Sequence, residues 1–584
     1  MPVLEIAALI GITSLLTPQA GLLAAIVAAL AIGLAVYAGR SSRARRKRGA
    51  RPDAQRTLVV GSGDATVSFV RLIEDNVNFP YAIVGCVDDQ ILHATPGGKP
   101  VLGSIDDLPT LIRKHRIGSV IVAIPSAPGH LVKRVVAACS SVKEPDGPPS
   151  VKILPGALEL LNDRAKTARV RPIQPEDLLS RDPVSVDLTQ IAPYVENQVI
   201  LVTGAGGSIG SELCRQIVTL KPSLLLLLGH GENSLFEIDE ELRLNLGFER
   251  TKIILADVAD AARIRAVFSR YRPHIVFHSA AHKHVPIVEN NVCEAVKNNI
   301  FGTHVVALAA AASGVAKFVL LSTDKAVNPA SIMGATKRVA ELVTQSFRNQ
   351  SGTEFVTVRF GNVLGSRGSV IPIFKRQIEQ GGPITITHRE MQRYFMTIPE
   401  AVSLVLLAMA IGRDGQILVL NMGDQVRVLQ LAEKLIALSG LTPYKDIQIV
   451  ETGIRPGEKL YEEILSSSEG LTKTSHEHLM IGRSESVAYD RLAEGLRVLE
   501  ESVQIADESA SLHALRELVP SFQIGSHHFE RQTVAQPNGK AQTSASNPPG
   551  SEAAGEPADG KIDSIELLES LSEIDSAESG VIKT

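Results

Sequence analysis

The chain has 584 residues, enough for several domains. Its 59 Lys plus Arg against 63 Asp plus Glu leave a net charge of −4, which gives no support to a chain-wide nucleic-acid surface. At 44 % hydrophobic and 21 % charged residues most of the chain can bury a core, and four scattered cysteines (Cys86, Cys139, Cys214, Cys293) without a CxxC pair argue against a disulfide scaffold and a zinc site.

Residues 20–39, AGLLAAIVAALAIGLAVYAG, carry no charge. As a helix they reach about 30 Å, the thickness of a hydrocarbon core. Arg40, Arg43, Arg45, Arg46, Lys47, Arg48 and Arg51 follow at once. That basic flank predicts an anchor in the inner (cytoplasmic) membrane, with the bulk of the chain in the cytoplasm. The shorter run Val3–Leu16 contains Glu5 and is read either as a second span or as a re-entrant segment. We assign residues 1–40 to the anchor and 41–56 to a basic linker.

From Thr57 strands and helices alternate, which predicts an α/β architecture of two Rossmann-like, doubly wound parallel-sheet domains. In the first, residues 57–150, Thr57–Val60 runs into Gly61-Ser62-Gly63, a helix is expected over 65–75, and Tyr81–Val87 and Ile117–Ile124 read as strands. Thr66 stands where a third small residue would complete a dinucleotide turn, so nucleotide binding and a purely structural role stay open here. Residues 151–197, with Arg171-Pro172 and Arg181-Asp182-Pro183, read as a linking segment.

The second domain, 198–525, opens with Gln198–Thr203 and then Gly204-Ala-Gly-Gly207-Ser208-Ile209-Gly210. Strand, glycine turn and helix follow in the order of a dinucleotide site. Gly204 and Gly207 permit the turn and close backbone approach, Gly210 lets the helix pack, and the pyrophosphate belongs at the helix N-terminus beside Ser208 and Ile209. Gly229 occupies the place of the usual ribose-binding acid after strand Leu224–Leu228, so Glu232 is expected to take that role. No arginine follows the strand to meet a 2′-phosphate, which favours NAD over NADP. Asp257-Val258 should meet the adenine, and Ala280-Ala281 end a strand with small residues beside the cofactor. Strand Phe318–Ser322 ends in Thr323-Asp324-Lys325, and Met333 and Lys337 share one helix face eight and twelve residues further on. The last residues, 526–584, are acidic, rich in Ser, Gly, Pro and Ala, and read as a disordered tail. Its helical island Ile562–Leu571 is either a partner-binding segment or a transient helix.

The Met333-x-x-x-Lys337 segment resembles the Y-x-x-x-K of short-chain dehydrogenases/reductases with Met in place of Tyr. With STDKAVNP, HKHVP, VRFGNVLGSRGSVIP, RYFMTIPEA and RPGEKLYEE, residues 55–485 resemble the membrane-anchored nucleotide-diphosphate-sugar 4,6-dehydratases of the CapD/PglF type. The resemblance implies an internal redox cycle. NAD takes hydride from C4 of a UDP-N-acetylhexosamine, usually UDP-GlcNAc, water leaves across C5–C6, and the hydride returns to C6 to give a UDP-4-keto-6-deoxy sugar. By the same resemblance Asp324 is the acid, Lys325 the base, Thr323 the partner of the C4 hydroxyl, and Lys337 the contact to the nicotinamide ribose, while Met333 moves no proton. Lys283, Asn299, Asn362, Ser366, Arg393, Arg455 and Glu458 are expected around substrate, with a small substrate-binding subdomain at the C-terminal side and no metal. Two other readings remain: a nucleotide-sugar 4- or 5-epimerase, and an inactive membrane-tethered nucleotide-sensing scaffold. The superfamily also implies a homo-oligomer, paired through the helix of Met333–Arg348 and the one before it. The membrane context implies a downstream sugar-modifying enzyme or phosphoglycosyl transferase as partner.

Overall fold

The computed structural model describes residues 54–523 apart from 76–78, 92, 125–126, 128, 143–147, 155–169, 174–183, 185, 465–469 and 483–487. The apolar run 20–39, its basic flank and the acidic tail lie outside the described residues. Among the described residues, no helix is long and apolar enough to cross a membrane. The chain divides into two compact units, one including residues 54–125, 134–154 and 170–172, the other including 184–523.

The first unit is a five-stranded sheet in the order β2-β1-β3-β4-β5, from β1 (Gln55–Val60), β2 (Tyr81–Val87), β3 (Ser119–Val122), β4 (Ser150–Ile153) and β5 (Arg171–Pro172). All pairs are parallel except β4–β5. The segment expected to link the domains therefore supplies two strands of this sheet. β4 is short and Pro-flanked, so its pairing with β3 leaves little alternating pattern to read. Gly61, at φ +111°, makes the turn into α1 (Asp64–Asp75). Thr66 is fully buried, and its hydroxyl donates to Ala123 O at 3.3 Å. It pins α1 to the end of β3 where a third glycine would leave room. Ser62 Oγ donates to Asp88 Oδ2 at 2.6 Å, joining the turn to the end of β2.

The second unit is built on nine strands: β6 (Val199–Thr203), β7 (Leu224–Gly229), β8 (Thr251–Leu255), β9 (Ile275–His278), β10 (Lys317–Thr323), β11 (Glu354–Phe360), β12 (Gln416–Leu420), β13 (Leu471–Lys473) and β14 (Leu479–Gly482). Their order is β13-β14-β12-β11-β10-β9-β6-β7-β8. Strands β6 to β12 are parallel, and β14 and β13 add an antiparallel edge. The central strands read as continuous apolar runs because helices cover both faces. On one face lie α2 (Ser208–Thr219) and α3 (Glu232–Leu244), with α7 (Ile398–Ile411) beside them. Thr397 and Glu400 form a capping box that starts α7. The other face carries α4 (Gly302–Ala312) and α5 (Ile332–Ser346). Helix α6 (Val370–Glu379) belongs to a separate apolar cluster with Ile384, Leu431 and Ile449.

The helices expected to pair two subunits have a partner from the same chain. Helices α8 (Tyr489–Gln504) and α9 (Glu508–Leu518) form a hairpin that packs on Val292–Ala295, on the π-helical turn Val296–Phe301 and on α5. Leu492, Leu499, Leu515 and Leu518 join Ala340, Val343 and Phe347 in one buried cluster. Gly495 lets the two helices touch, since a Cβ there would stand 2.3 Å from Leu518.

Candidate active site

The carboxyl ends of the parallel strands open into a cavity of about 860 Å³, the position that open α/β sheets reserve for ligands. Its walls include Gly204, Gly207, Ser208, Ile209, Gly210, Ala281, Lys283, Thr323, Lys325, Met333, Lys337, Asn362, Ser366, Arg393, Arg455 and Glu458. Segments separated by up to 250 residues in sequence thus meet around one space.

The glycine turn fits a dinucleotide. Gly204 sits at φ +65°, and a Cβ on it would stand 2.9 Å from the Ala280 backbone. A Cβ on Gly210 would lie 2.1 Å from Gly204 O, so only glycine lets α2 start this close to β6. The free N–H groups of the first turn of α2 face the cavity, the arrangement that receives a pyrophosphate. Glu232 stands exposed in the first turn of α3, just past Gly229. Asp257 is exposed and caps its own turn by accepting from Ala259 N at 2.9 Å. Val258 is buried against Gly302. Glu232, Asp257, Val258 and Ala280 do not form part of the cavity wall.

The strand-end trio is wired together. Thr323 Oγ1 donates to Asp324 Oδ1 at 2.8 Å, and Lys325 Nζ donates to the same oxygen at 3.0 Å and to Asn362 Oδ1 at 2.7 Å. Asp324 is fully buried, and its Oδ2 has no partner. Burial alone would lower the Lys325 ammonium, but the Asp324 and Glu462 carboxylates outweigh it and hold the group above the usual lysine value, with Arg393 opposing. Lys325 is therefore charged. Lys337, one turn after Met333 on α5, is buried, and desolvation brings its ammonium down to about 8 against the pull of Glu341. His278 is sealed between the hydroxyls of Thr203 (2.9 Å) and Thr303 (3.1 Å). Burial, helped by Lys337, drops it to about 3, so it is neutral.

Several side chains sit differently from expectation. Asn299, expected around substrate to position backbone or water near the nicotinamide, has its amide fully occupied within the protein. Its Oδ1 accepts from His282 N at 2.8 Å and Asn298 Nδ2 at 3.0 Å, and its Nδ2 donates to His282 O and Thr336 Oγ1, both at 3.1 Å. It props the 280–284 loop instead of reaching the cavity. Arg393, expected around substrate, donates to Gln392 O (2.7 Å), Leu460 O (3.3 Å) and Lys459 O (2.8 Å), and its Nε lies 3.5 Å from Glu462. It braces the 459–462 segment. Asn362 turns its carbonyl to Lys325. Arg455 is exposed on the rim, and Glu458 Oε2 is buried without a partner. Lys283 Nζ reaches Ser366 Oγ at 3.4 Å and Arg367 O at 3.0 Å.

Two groups escaped sequence reading. Glu462, buried on the cavity wall, lies 3.6 Å from Lys325 Nζ. Glu341 on α5 is fully buried, bonded to Arg359 at 2.7 and 2.6 Å and to Ser322 Oγ at 2.6 Å. No local period marks either one, although both carboxylates stand in segments already notable for other residues.

The family described as "Polysaccharide biosynthesis protein" matches residues 200–484, and the one described as "CoA-binding domain" matches 22–143. The probable polysaccharide biosynthesis protein EpsC of Bacillus subtilis is 46 % identical over 447 residues, 75 % of this chain and 73 % of that protein. The capsular polysaccharide biosynthesis protein CapD of Staphylococcus aureus is 46 % identical over 433 residues, 73 % of this chain and 71 % of that protein. An inverting UDP-N-acetylglucosamine 4,6-dehydratase of Campylobacter jejuni is 34 % identical over 275 residues, 46 % of this chain and 78 % of that enzyme.

Proposed function

The chain belongs to the polysaccharide biosynthesis protein family of EpsC and CapD, within the extended short-chain dehydrogenase/reductase superfamily, and on that premise we propose that it is an NAD-dependent 4,6-dehydratase of a UDP-N-acetylhexosamine, with UDP-GlcNAc as the first candidate. The relation to nucleotide-sugar dehydratases and epimerases supports the class of substrate and a redox step on the sugar. The reading of the individual residues rests on their geometry.

A bound NAD would supply the acceptor for the C4 hydride and return that hydride to C6. The protein's part is the movement of protons. Thr323 takes the C4 hydroxyl proton and relays it along its 2.8 Å bond to Asp324. Asp324 gives a proton to the departing C6 hydroxyl, which leaves as water. Lys325 removes the C5 proton, made acidic by the C4 ketone, and later returns it to C5. The protons balance: the one lost from the C4 hydroxyl ends in the water, and the one held by Lys325 goes back to carbon. Lys325 must be neutral to act as a base and Asp324 protonated to act as an acid. The proton that arrives through Thr323 produces the second form, and passage of the ammonium proton to Glu462, 3.6 Å from Lys325 Nζ, produces the first without exchange with solvent. Lys337 positions the cofactor and adds positive charge where an alkoxide develops.

Asp324 carries this reading. A 4-epimerase needs hydride and proton exchange at C4 alone. A buried carboxylate with one oxygen unpartnered, tied through the other to a lysine, provides the second acid–base pair that elimination across C5–C6 requires. The test is the mass of the product when the purified full chain is incubated with UDP-GlcNAc. A product lighter by one water supports dehydration. An isomer of unchanged mass would move the reading to epimerisation, and intact substrate would move it to a non-catalytic role.

A further inference from the structure

The loop of residues 365–369 is held from both sides of the cavity. On the sugar side Lys283 Nζ donates to Ser366 Oγ and Arg367 O. Gly368 lies at φ +69°, and a Cβ there would meet the His284 ring at 2.5 Å. On the other side Arg367 reaches the glycine turn. Its backbone N–H donates to Ser208 Oγ at 3.1 Å, and its Nη1 donates to Gly206 O at 3.2 Å. Its Nη2 lies 3.5 Å from Glu237 of α3, where both side chains are about two-thirds exposed.

The guanidinium thus lies between the turn that receives the pyrophosphate and the helix that begins at the adenosine ribose position. Its contacts there are weak. An exposed pair at 3.5 Å is worth little, and one carbonyl bond leaves most of the five-donor fork available. A phosphate brought to the first turn of α2 would offer this fork the planar, charged acceptor it matches best.

We propose that Arg367 is a phosphate contact for the dinucleotide, carried on the substrate-side loop and laid as a strap across the glycine turn, so that the cofactor stays bound between turnovers. The inference rests on the dinucleotide reading of the cavity given above. The loop delivers this arginine from 138 residues beyond Gly229. A redox-neutral cycle returns its hydride each time, so a strap that slows release costs the reaction nothing.

The test is retention of dinucleotide by the full chain, read without turnover. The parent, Arg367→Ala and Glu237→Ala are loaded with NAD or with NADP, freed of excess ligand, and followed for release by trapping the freed dinucleotide. The loss of one charge-assisted contact predicts release at least about tenfold faster from Arg367→Ala. Glu237→Ala, which frees the guanidinium, should hold the dinucleotide as tightly as the parent or more so. Faster release of both dinucleotides assigns the contact to the pyrophosphate and supports the proposal. Faster release of NADP alone overturns it, because it would leave NAD untouched by the strap. Equal release of both by Arg367→Ala and parent overturns it while leaving the dinucleotide site intact, and so does faster release from Glu237→Ala, which would mark Arg367 as a mere partner of that carboxylate. A parent that retains neither dinucleotide overturns the proposal together with the reading of the cavity.

Discussion

Replacing Glu341 by Gln should destabilise the catalytic unit by about 3–5 kcal/mol, because it removes the carboxylate that the Arg359 guanidinium, 1 % exposed, holds at 2.6 Å. A second route gives the same size. Desolvation would raise the Glu341 carboxyl, yet Arg359, Arg338 and Ser322 bring it from 4.5 down to about 2. A carboxyl held that far below its free value stabilises the folded unit by on the order of 3 kcal/mol. The sign follows from the depressed value: the contribution is complete above pH 4.5 and is lost as pH falls towards 2. With about 350 residues unfolding at about 2.1 cal/mol/K each, the entropy is about 0.7 kcal/mol/K, so a loss of about 3.5 kcal/mol lowers Tm by about 5 °C. Scanning calorimetry at pH 7 measures this directly. The double change Glu341→Leu with Arg359→Met should recover part of the loss, since it removes both buried charges of that pair, while Arg338 still loses its 2.9 Å contact. A Tm within 1 °C of the parent for Glu341→Gln would refute the reasoning, as would an unchanged fall in stability between pH 4.5 and 2.

Other outcomes follow from the same geometry. Asp324→Asn keeps the shape but has no acidic proton, and should lower kcat by about 10²–10⁴ with little change in substrate binding; turnover within a factor of three of the parent would remove Asp324 from the acid role. Burial brings the Lys337 ammonium down to about 8, so NAD affinity should fall by up to about tenfold per unit above pH 8. Binding titrations should show that dependence in the parent and lose it in Lys337→Met. Gly210→Ala would force a Cβ to 2.1 Å from Gly204 O, and should abolish dinucleotide binding while the first unit stays folded, as fluorescence titration and calorimetry can separate.

What the sequence made legible was what depends on short spans of chain. The run from Val199 to Gly210 announces strand, turn and helix because each residue's backbone demand is local, and the hydroxyl–carboxylate–amine trio is visible because it ends a single strand. The spacing of Met333 and Lys337 places both on one face without further information. Asn299 and Arg393 show where such reading stops. Each has the right chemistry beside the right pocket, but partners 17 to 67 residues away take up their hydrogen bonds. Glu462 acquires meaning only through its 3.6 Å approach to Lys325, 137 positions earlier in the chain. Thr66 looked like a departure from a nucleotide turn, and the fold gives its hydroxyl a definite job across the sheet.

The α8–α9 hairpin sets an order on the protein's birth. Helix α5, which carries Met333 and Lys337, leaves the ribosome long before the leucines that cover it, and its apolar flank stays bare until synthesis passes Leu518. A nascent chain stalled before Tyr489 would display the flank to whatever is near, so chaperone capture or aggregation should centre on that interval of elongation. The pocket can acquire its final shape only after nearly all of the catalytic unit has been made.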